Sequence, residues 1–437
     1  MDKRRKILEL TRSILIVILA CNAISMSGKI LFPEGLYSLI HQEETEENGV
    51  VQQQERSVVA WPVRIVISSF RGEEVRRYGI QYDRESCERE FEPIAGLLRE
   101  SLSGAAALAE VSRSEWEQAI GMYSNIYFDL LGEVPLSVLT GWLAGSDSRL
   151  SGSARRLMLT AEGERVKLYY QNQENGRYYV CSSEVVQAEQ LLNITDLILD
   201  NGVEFAFELD AYETLAGDTL LLPEVPSPRI YTVENPLRVE GHSQEYGSGG
   251  ALGQLLTALS FPDNSYIYPG TDQVIRSGTD TLRISAQGVV RYAAGEENSR
   301  YPILSQWALP TQFEVAEACR SLAEGALGSQ AGAARLYLQT MKQTSTGWEL
   351  YFGYCLDGAR VQVGELGYAA CFRVERDEIT QFSLQMRKYT DTDSRSVILP
   401  ERQAMAAMQA LEAEQRELVL VYQDTGGDLV SAGWIAE

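Results

Sequence analysis

The chain has 437 residues, 45% of them hydrophobic and 9% aromatic, enough to bury real cores in two or three domains. Its formal charge is −23, and the first twelve residues run the other way, with Lys3, Arg4, Arg5, Lys6 and Arg12 against Asp2 and Glu9. The remainder, 33 basic against 59 acidic residues, stands at −26, which argues against a nucleic-acid partner and against a body lying flat on anionic lipid.

Residues 1–12 read as a basic cytoplasmic tail. No charge interrupts Ser13 to Gly28, and Ile30, Leu31 and Phe32 follow Lys29. With Arg12 and Lys29 snorkelling, residues 13–32 make a helix of the ~20 residues needed to cross a bilayer. The basic cluster places the acidic body outside the cell. Two other readings compete. Cleavage would use the small residues Ala23, Ser25 and Ser27, and lipidation would use Cys21 in "ILAC", where Leu19 stands at a position that is usually small. The apolar patch beyond Lys29 favours the retained anchor, since a cleaved signal needs none there. Within the span, Cys21, Ser25 and Gly28 share one helix face with Asn22 beside them. Small residues let a second helix approach, and Asn bonds across the contact, so these four form the candidate partner-binding face.

Residues 33–57 are read as a polar, acidic, Gln-rich linker. Residues 58–275 are expected to form an α+β domain. "VVAWPVRIVIS" reads as a strand broken by Pro62. "FEPIAGLLRESLSGAAALAEV" and "SRSEWEQAIGM" read as helices, the second capped by Ser112 or Ser114. "RLMLTAEGERVKLYYQNQENGRYYVCSS" reads as a meander with turns at Gly163 and Gly176, and "EVVQAEQLLNITDLI" resumes helical spacing.

The last 160 residues carry an internal repeat, 276–365 and 366–437, each unit reading ββαββ. Leu282, Ile284, Val289 and Tyr292 align with Phe372, Val374, Ile379 and Phe382. Pro310 and Pro400 recur where a helix starts, and Glu314 and Glu401 suit the positive end of its dipole. One helix over one face of a small sheet is a two-layer arrangement.

The chemistry-bearing residues are sparse. His41 and His242 are the two histidines, and "GHSQEYGSGG" around His242 lacks an orienting third group or a nucleophile elbow, reading as an exposed loop. The six cysteines show no C-x-x-C spacing. Cys355 and Cys371 sit in strand-like runs, where buried free thiols suit them better than a disulfide. No catalytic, cofactor or metal residues are assigned. A glycosidase needs only two carboxylates and an aromatic surface, which an acidic, tyrosine-rich chain supplies without discrimination.

The layout as a whole resembles the YycH/YycI family of extracytoplasmic regulators in Gram-positive bacteria, closer to its longer branch. The stretch "YPGTDQVIRSGTDTLRISAQGVVRYAAG", with Tyr292, looks like that family's passage into the repeats. The closing helix and hairpin are more loosely similar to PepSY-type modules. The resemblance implies association with a WalK-type sensor histidine kinase through the span and the outer domains, a YycI-type co-regulator beside it, and no catalysis or cofactor. The alternative is a secreted or lipid-anchored protein that binds a peptide or wall glycan.

Overall fold

A computed structural model describes residues 61–437 apart from 73, 147, 213–214, 239–249, 262–265, 269–271, 296–298 and 410–415. The segments read as tail, span and linker, the four residues of the span's small face, and both histidines lie outside the described residues. Among the described residues no helix is long and apolar enough to cross a membrane. The architecture is mixed α+β.

The first half builds an antiparallel sheet. Its elements are β1 (Arg64–Arg71), β2 (Glu74–Gln81), α1 (Arg84–Ser103), β3 (Ala105–Val111), α2 (Arg113–Met122), β4 (Asn125–Pro135), α3 (Leu136–Ala144), β5 (Ser153–Glu162), β6 (Arg165–Asn172), β7 (Tyr178–Gln187) and α4 (Ala188–Thr195). Strand order is β2-β1-β4-β5-β6-β7-β3. Helix α1 starts where the Asp83 side chain accepts the Ser86 N–H, and it buries Phe91, Ile94, Leu97, Leu98 and Leu102 at helical spacing. The helix expected through Val111 stops at Ser103, because Gly104 closes it and Ala105–Val111 pairs with β7 as an edge strand. Sheet pairing overrides the helix propensity of three alanines. Ser112, not Ser114, caps α2, through a reciprocal box with Glu115. The meander forms as expected, with Gly163 and Gly176 at positive φ. Residues 184–187 extend β7 rather than opening α4.

Next come β8 (Glu204–Phe205), β9 (Leu220–Leu221), β10 (Arg229–Glu234), α5 (Ala251–Ala258), β11 (Tyr266–Tyr268) and β12 (Gln273–Ser277). Then follow β13 (Asp280–Ile284), β14 (Val289–Ala293), α6 (Gln312–Leu327), β15 (Arg335–Gln343), β16 (Gly347–Leu356), β17 (Ala359–Val363), β18 (Ala370–Glu375), β19 (Glu378–Gln385), β20 (Lys388–Arg395), α7 (Glu401–Gln409), β21 (Leu418–Asp424), β22 (Leu429–Val430) and β23 (Ala432–Ala436). The order hairpin, helix, hairpin occurs twice, as β13–β14, α6, β15–β16 and as β18–β19, α7, β21–β23.

Pairing crosses between the two units. The second sheet runs β11-β12-β13-β14-β19-β18-β16-β15, all antiparallel, so the β18–β19 hairpin lies between the two hairpins of the first unit. Tyr292 and Phe382, aligned in the sequence reading, are register partners and stack at 4.8 Å. Helix α6 lays Val315, Ala316, Cys319, Ala323 and Leu327 onto this sheet. Helix α7 packs elsewhere, placing Ala404, Met405 and Met408 on Ala206, Leu215, Leu221 and Leu418. Val290, rather than Val289, is the inward residue of β14. Pro310 stands one residue before the Thr311 cap of α6, with Glu314 closing the capping box. All five described cysteines are free. Cys371 faces Tyr351 in the ladder, four residues along β16 from Cys355, beyond the reach of a disulfide.

The two sheets meet where Thr340 of β15 pairs in parallel with Glu133 of β4. Gly132 makes this approach possible, since a Cβ there would lie 1.9 Å from the Leu338 carbonyl oxygen. Backbone cannot step aside as a flexible side chain would. Gly132→Ala is therefore expected to lower unfolding free energy by about 1–3 kcal/mol in urea titration. Gly325→Ala, in α6 with nothing within 4 Å of the new methyl, is expected to raise it by about 0.5–1 kcal/mol.

Candidate functional site

The junction between the sheets holds a buried cluster of charge. Arg64 comes from β1, Asp129 from β4, Arg155 and Arg156 from β5, Asp218 from the turn before β9, and Glu417 from just before β21. Consecutive residues of a strand ordinarily face opposite ways. A bulge between Ala154 and Leu157 in the β5–β6 ladder lets Arg155 and Arg156 serve one cluster.

Arg155 donates to both Asp129 oxygens, at 2.9 Å from Nε and 3.0 Å from Nη2, and from Nη1 to Glu417 at 3.3 Å. Arg64 Nη1 donates to Glu417 at 3.2 Å. Arg156 bridges Asp218 and Glu417. Three guanidiniums thus face three carboxylates, and charge-assisted forks of this kind offset the cost of taking ions out of water. Burial opposes ionisation of Asp129 and Glu417, but the surrounding arginines outweigh it. The Asp129 carboxyl is held well below the usual carboxylate range, and that of Glu417 is lowered to about 2.

Beside the cluster lies a cavity of about 330 Å³, walled by Arg64, Tyr82, Asp129, Leu131, Arg155, Gln339, Lys342, Arg360, Leu420 and Glu437, among others. Tyr82 and Leu420 also wall a neighbouring cavity of about 260 Å³ that reaches Arg229, Asp357 and Tyr422. The backbone around them is strained. Tyr82 and Leu131 have φ of 57° and 69°, a left-handed conformation disfavoured for such side chains. Strain of this kind gathers at ligand clamps and switches. Among the described residues, Gln339 Oε1 on these walls is buried without a hydrogen-bond partner.

Glu401, expected to act only through the helix dipole, turns inward instead. It accepts from Gln81 Nε2 at 2.9 Å and from the Leu222 N–H at 3.3 Å, and burial pushes its carboxyl up to about 7.

A second feature lies on the surface. Between Arg300 and Glu314 the chain carries no charge, and Leu304, Trp307 and Leu309 stand exposed, Trp307 by 69%. The equivalent loop before α7 exposes Val397 and Leu399. Among the described residues no group of three or more His, Cys, Asp or Glu side chains is placed to hold a metal ion. None of the four residues assigned from sequence to partner binding, Cys21, Asn22, Ser25 and Gly28, falls within the described residues. The charge cluster and its cavity were missed from sequence because their residues spread from position 64 to 437. The neighbouring arginines of "SARRLM", in the middle of a strand, were the one local sign.

No family model matches this sequence, and no curated protein matches it. Among solved structures, the crystal structure of YycH from Bacillus subtilis is similar, with a TM-score of 0.50 and 11% sequence identity over 86% of this chain and 94% of that one. The chain therefore has a YycH-like fold.

Removing one partner from the cluster leaves buried charge uncompensated. Asp129→Asn is expected to cost about 3–5 kcal/mol, read by chemical denaturation at neutral pH. The two glutamates give opposite pH signatures. Glu417 is depressed in the folded state, so its contribution is complete above about pH 4.5 and is lost as pH falls toward 2. Glu401 is raised, so its contribution is complete below about pH 4.5 and is lost as pH rises through 7. Glu401→Gln is expected to remove the decline in melting temperature between pH 5 and pH 7.5, and an unchanged profile would exclude Glu401 as its source.

Proposed function

We propose that this chain is a membrane-anchored, non-enzymatic extracytoplasmic regulator of a WalK-type sensor histidine kinase controlling cell-wall metabolism, with a YycI-type co-regulator as a further partner. The YycH-like fold across 86% of the chain carries this reading. The sequence supports it with a basic tail at 1–12, a 20-residue apolar segment at 13–32 and a polar linker at 33–57. In this reading residues 58–275 form the membrane-proximal body, and 276–365 and 366–437 are the repeat units.

A regulator acts by binding one kinase state better than the other. Two contacts serve this. Inside the bilayer, Cys21, Asn22, Ser25 and Gly28 offer a small-residue face to a kinase helix. Outside it, the uncharged loop with Leu304, Trp307 and Leu309 offers apolar area in an otherwise acidic protein.

Ser25→Leu combined with Gly28→Leu is expected to weaken co-purification with the kinase, and Trp307→Ser to weaken it without changing melting temperature. Unchanged pull-down and unchanged kinase signalling in the double variant would remove the intramembrane assignment. Intact mass of the membrane-extracted protein tests the anchor itself. An uncut, unlipidated N-terminus is expected, whereas cleavage near Ser25 or a lipid on Cys21 would favour the secreted or lipid-anchored binding protein.

A further inference from the structure

The second sheet has one buried face and one open one. Leu282, Ile284, Val290, Tyr292, Phe372 and Phe382 are buried in the core on the side of α6. The residues that alternate with them point the other way. Register carries this outer face from strand to strand. Arg283 of β13 lies opposite Arg291 of β14, Arg291 opposite Ser383 of β19, and Ser383 opposite Cys371 of β18. Two residues along, Arg276 of β12, Thr281, Ala293, Gln381 and Arg373 form the adjoining row. All four arginines are exposed.

Like charges directly opposite one another on a sheet, with Cβ atoms about 5 Å apart, are destabilising. Arg283 and Arg291 stand in this relation, and among the described residues neither makes an ion pair. No carboxylate of β12, β13 or β14 shares their face, because Asp280 turns inward to Arg300. Asp272, just before β12, pairs with neither arginine. Glu349, Glu375 and Glu378 lie at the far end, where Arg373 bonds Glu349 at 2.7 Å. A chain of charge −23 thus carries a local surplus of cations on one sheet face. Guanidinium forks match phosphate oxygens. From β12 to β18 the arginines span four strand spacings, roughly 19 Å, which suits a linear polyanion. A folded acidic partner would need an apolar anchor, and β12–β16, β18 and β19 expose no large hydrophobic side chain. Nucleic-acid bases would need an open aromatic platform, whereas Tyr351 is half-buried with Lys342 over its ring. We propose that this face binds a linear anionic polymer of the glycerol-phosphate class, with one phosphate between Arg283 and Arg291 and its neighbours running toward Arg276 and Arg373. The choice of a wall polymer rests on the extracytoplasmic placement proposed above. Its test involves no kinase, so each reading can fail without the other.

Binding is measured by fluorescence anisotropy, titrating the full-length chain in neutral detergent into a short labelled glycerol-phosphate oligomer. An affinity near ~100 µM is expected at low salt, weakening at least ~5-fold between about 50 and 200 mM salt. Arg283→Glu and Arg291→Glu are each expected to weaken binding by ~10-fold or more. Each turns a like-charge pair into an opposite one, so the melting temperature should hold or rise, and lost binding is then not a folding defect. Arg89→Glu, an equal change of charge at an exposed position of α1, is expected to leave binding unchanged. No binding up to ~1 mM, full binding by the Arg283→Glu, Arg291→Glu double variant, or equal weakening by Arg89→Glu would each overturn the proposal. So would tighter binding of an oligoaspartate or an oligothymidylate, which would mark the face as one for an acidic protein or a nucleic acid.

Discussion

The packing of Arg64, Arg155 and Arg156 around Asp129, Asp218 and Glu417 sets the terms for the rest of the fold. Buried ions are tolerated only when balanced and well bonded, and here the balance is assembled from strands far apart in sequence. Glu417 can reach its arginines only if β21 comes to the end of the first sheet. That position also lets β21 pair in parallel with β17 and antiparallel with β23. A cluster costly to leave half-built thus fixes the placement of the last twenty residues. The cavity is the space left between elements brought together for electrostatic reasons.

The interleaved hairpins give the second sheet a similar interdependence. Neither 276–365 nor 366–437 completes a sheet of its own, because β18–β19 fills the gap between β14 and β16. The stack of Tyr292 on Phe382 sits at one of these seams, and Phe372, Tyr301 and Phe261 extend the aromatic contact around it. The two hairpins present matching apolar faces, so β19 pairs with β14 and β18 with β16. The second helix, displaced from this sheet, found a separate apolar surface on residues 206–221.

Much of this was legible in sequence where the signal is local. Alternation in "LRISAQGVVRYA" and "FRVERDEITQFS" gave both hairpins, glycines at 163 and 176 gave the meander turns, and the serines at 112 and 114 marked the start of a helix. Local signals failed where a distant partner decided the outcome. "GAAALAEV" has the composition of a helix and lies as a strand because β7 offers it an edge. Glu401 looked like an ordinary first-turn acid, yet Gln81, 320 residues earlier, draws it inside. Glu417 and Arg360 carried no marking at all in a chain with 61 acidic residues. The YycH-like organisation was readable because it rests on element order, which survives when identity has fallen to 11%. The cavity was not, since its walls share no motif.

The bond between Arg64 and Glu417 spans 353 positions, and this has a bearing on how the chain is made. Until residue 417 emerges, the three arginines of the junction have only Asp129 and Asp218 to answer them, a surplus of one positive charge at a site destined for burial. Contacts of such sequence separation form slowly, because the loop they close is nearly the whole protein. The charge at this junction is therefore balanced only once the final strands are made. A chain truncated before β21 lacks Glu417 and leaves that surplus charge at the junction unanswered.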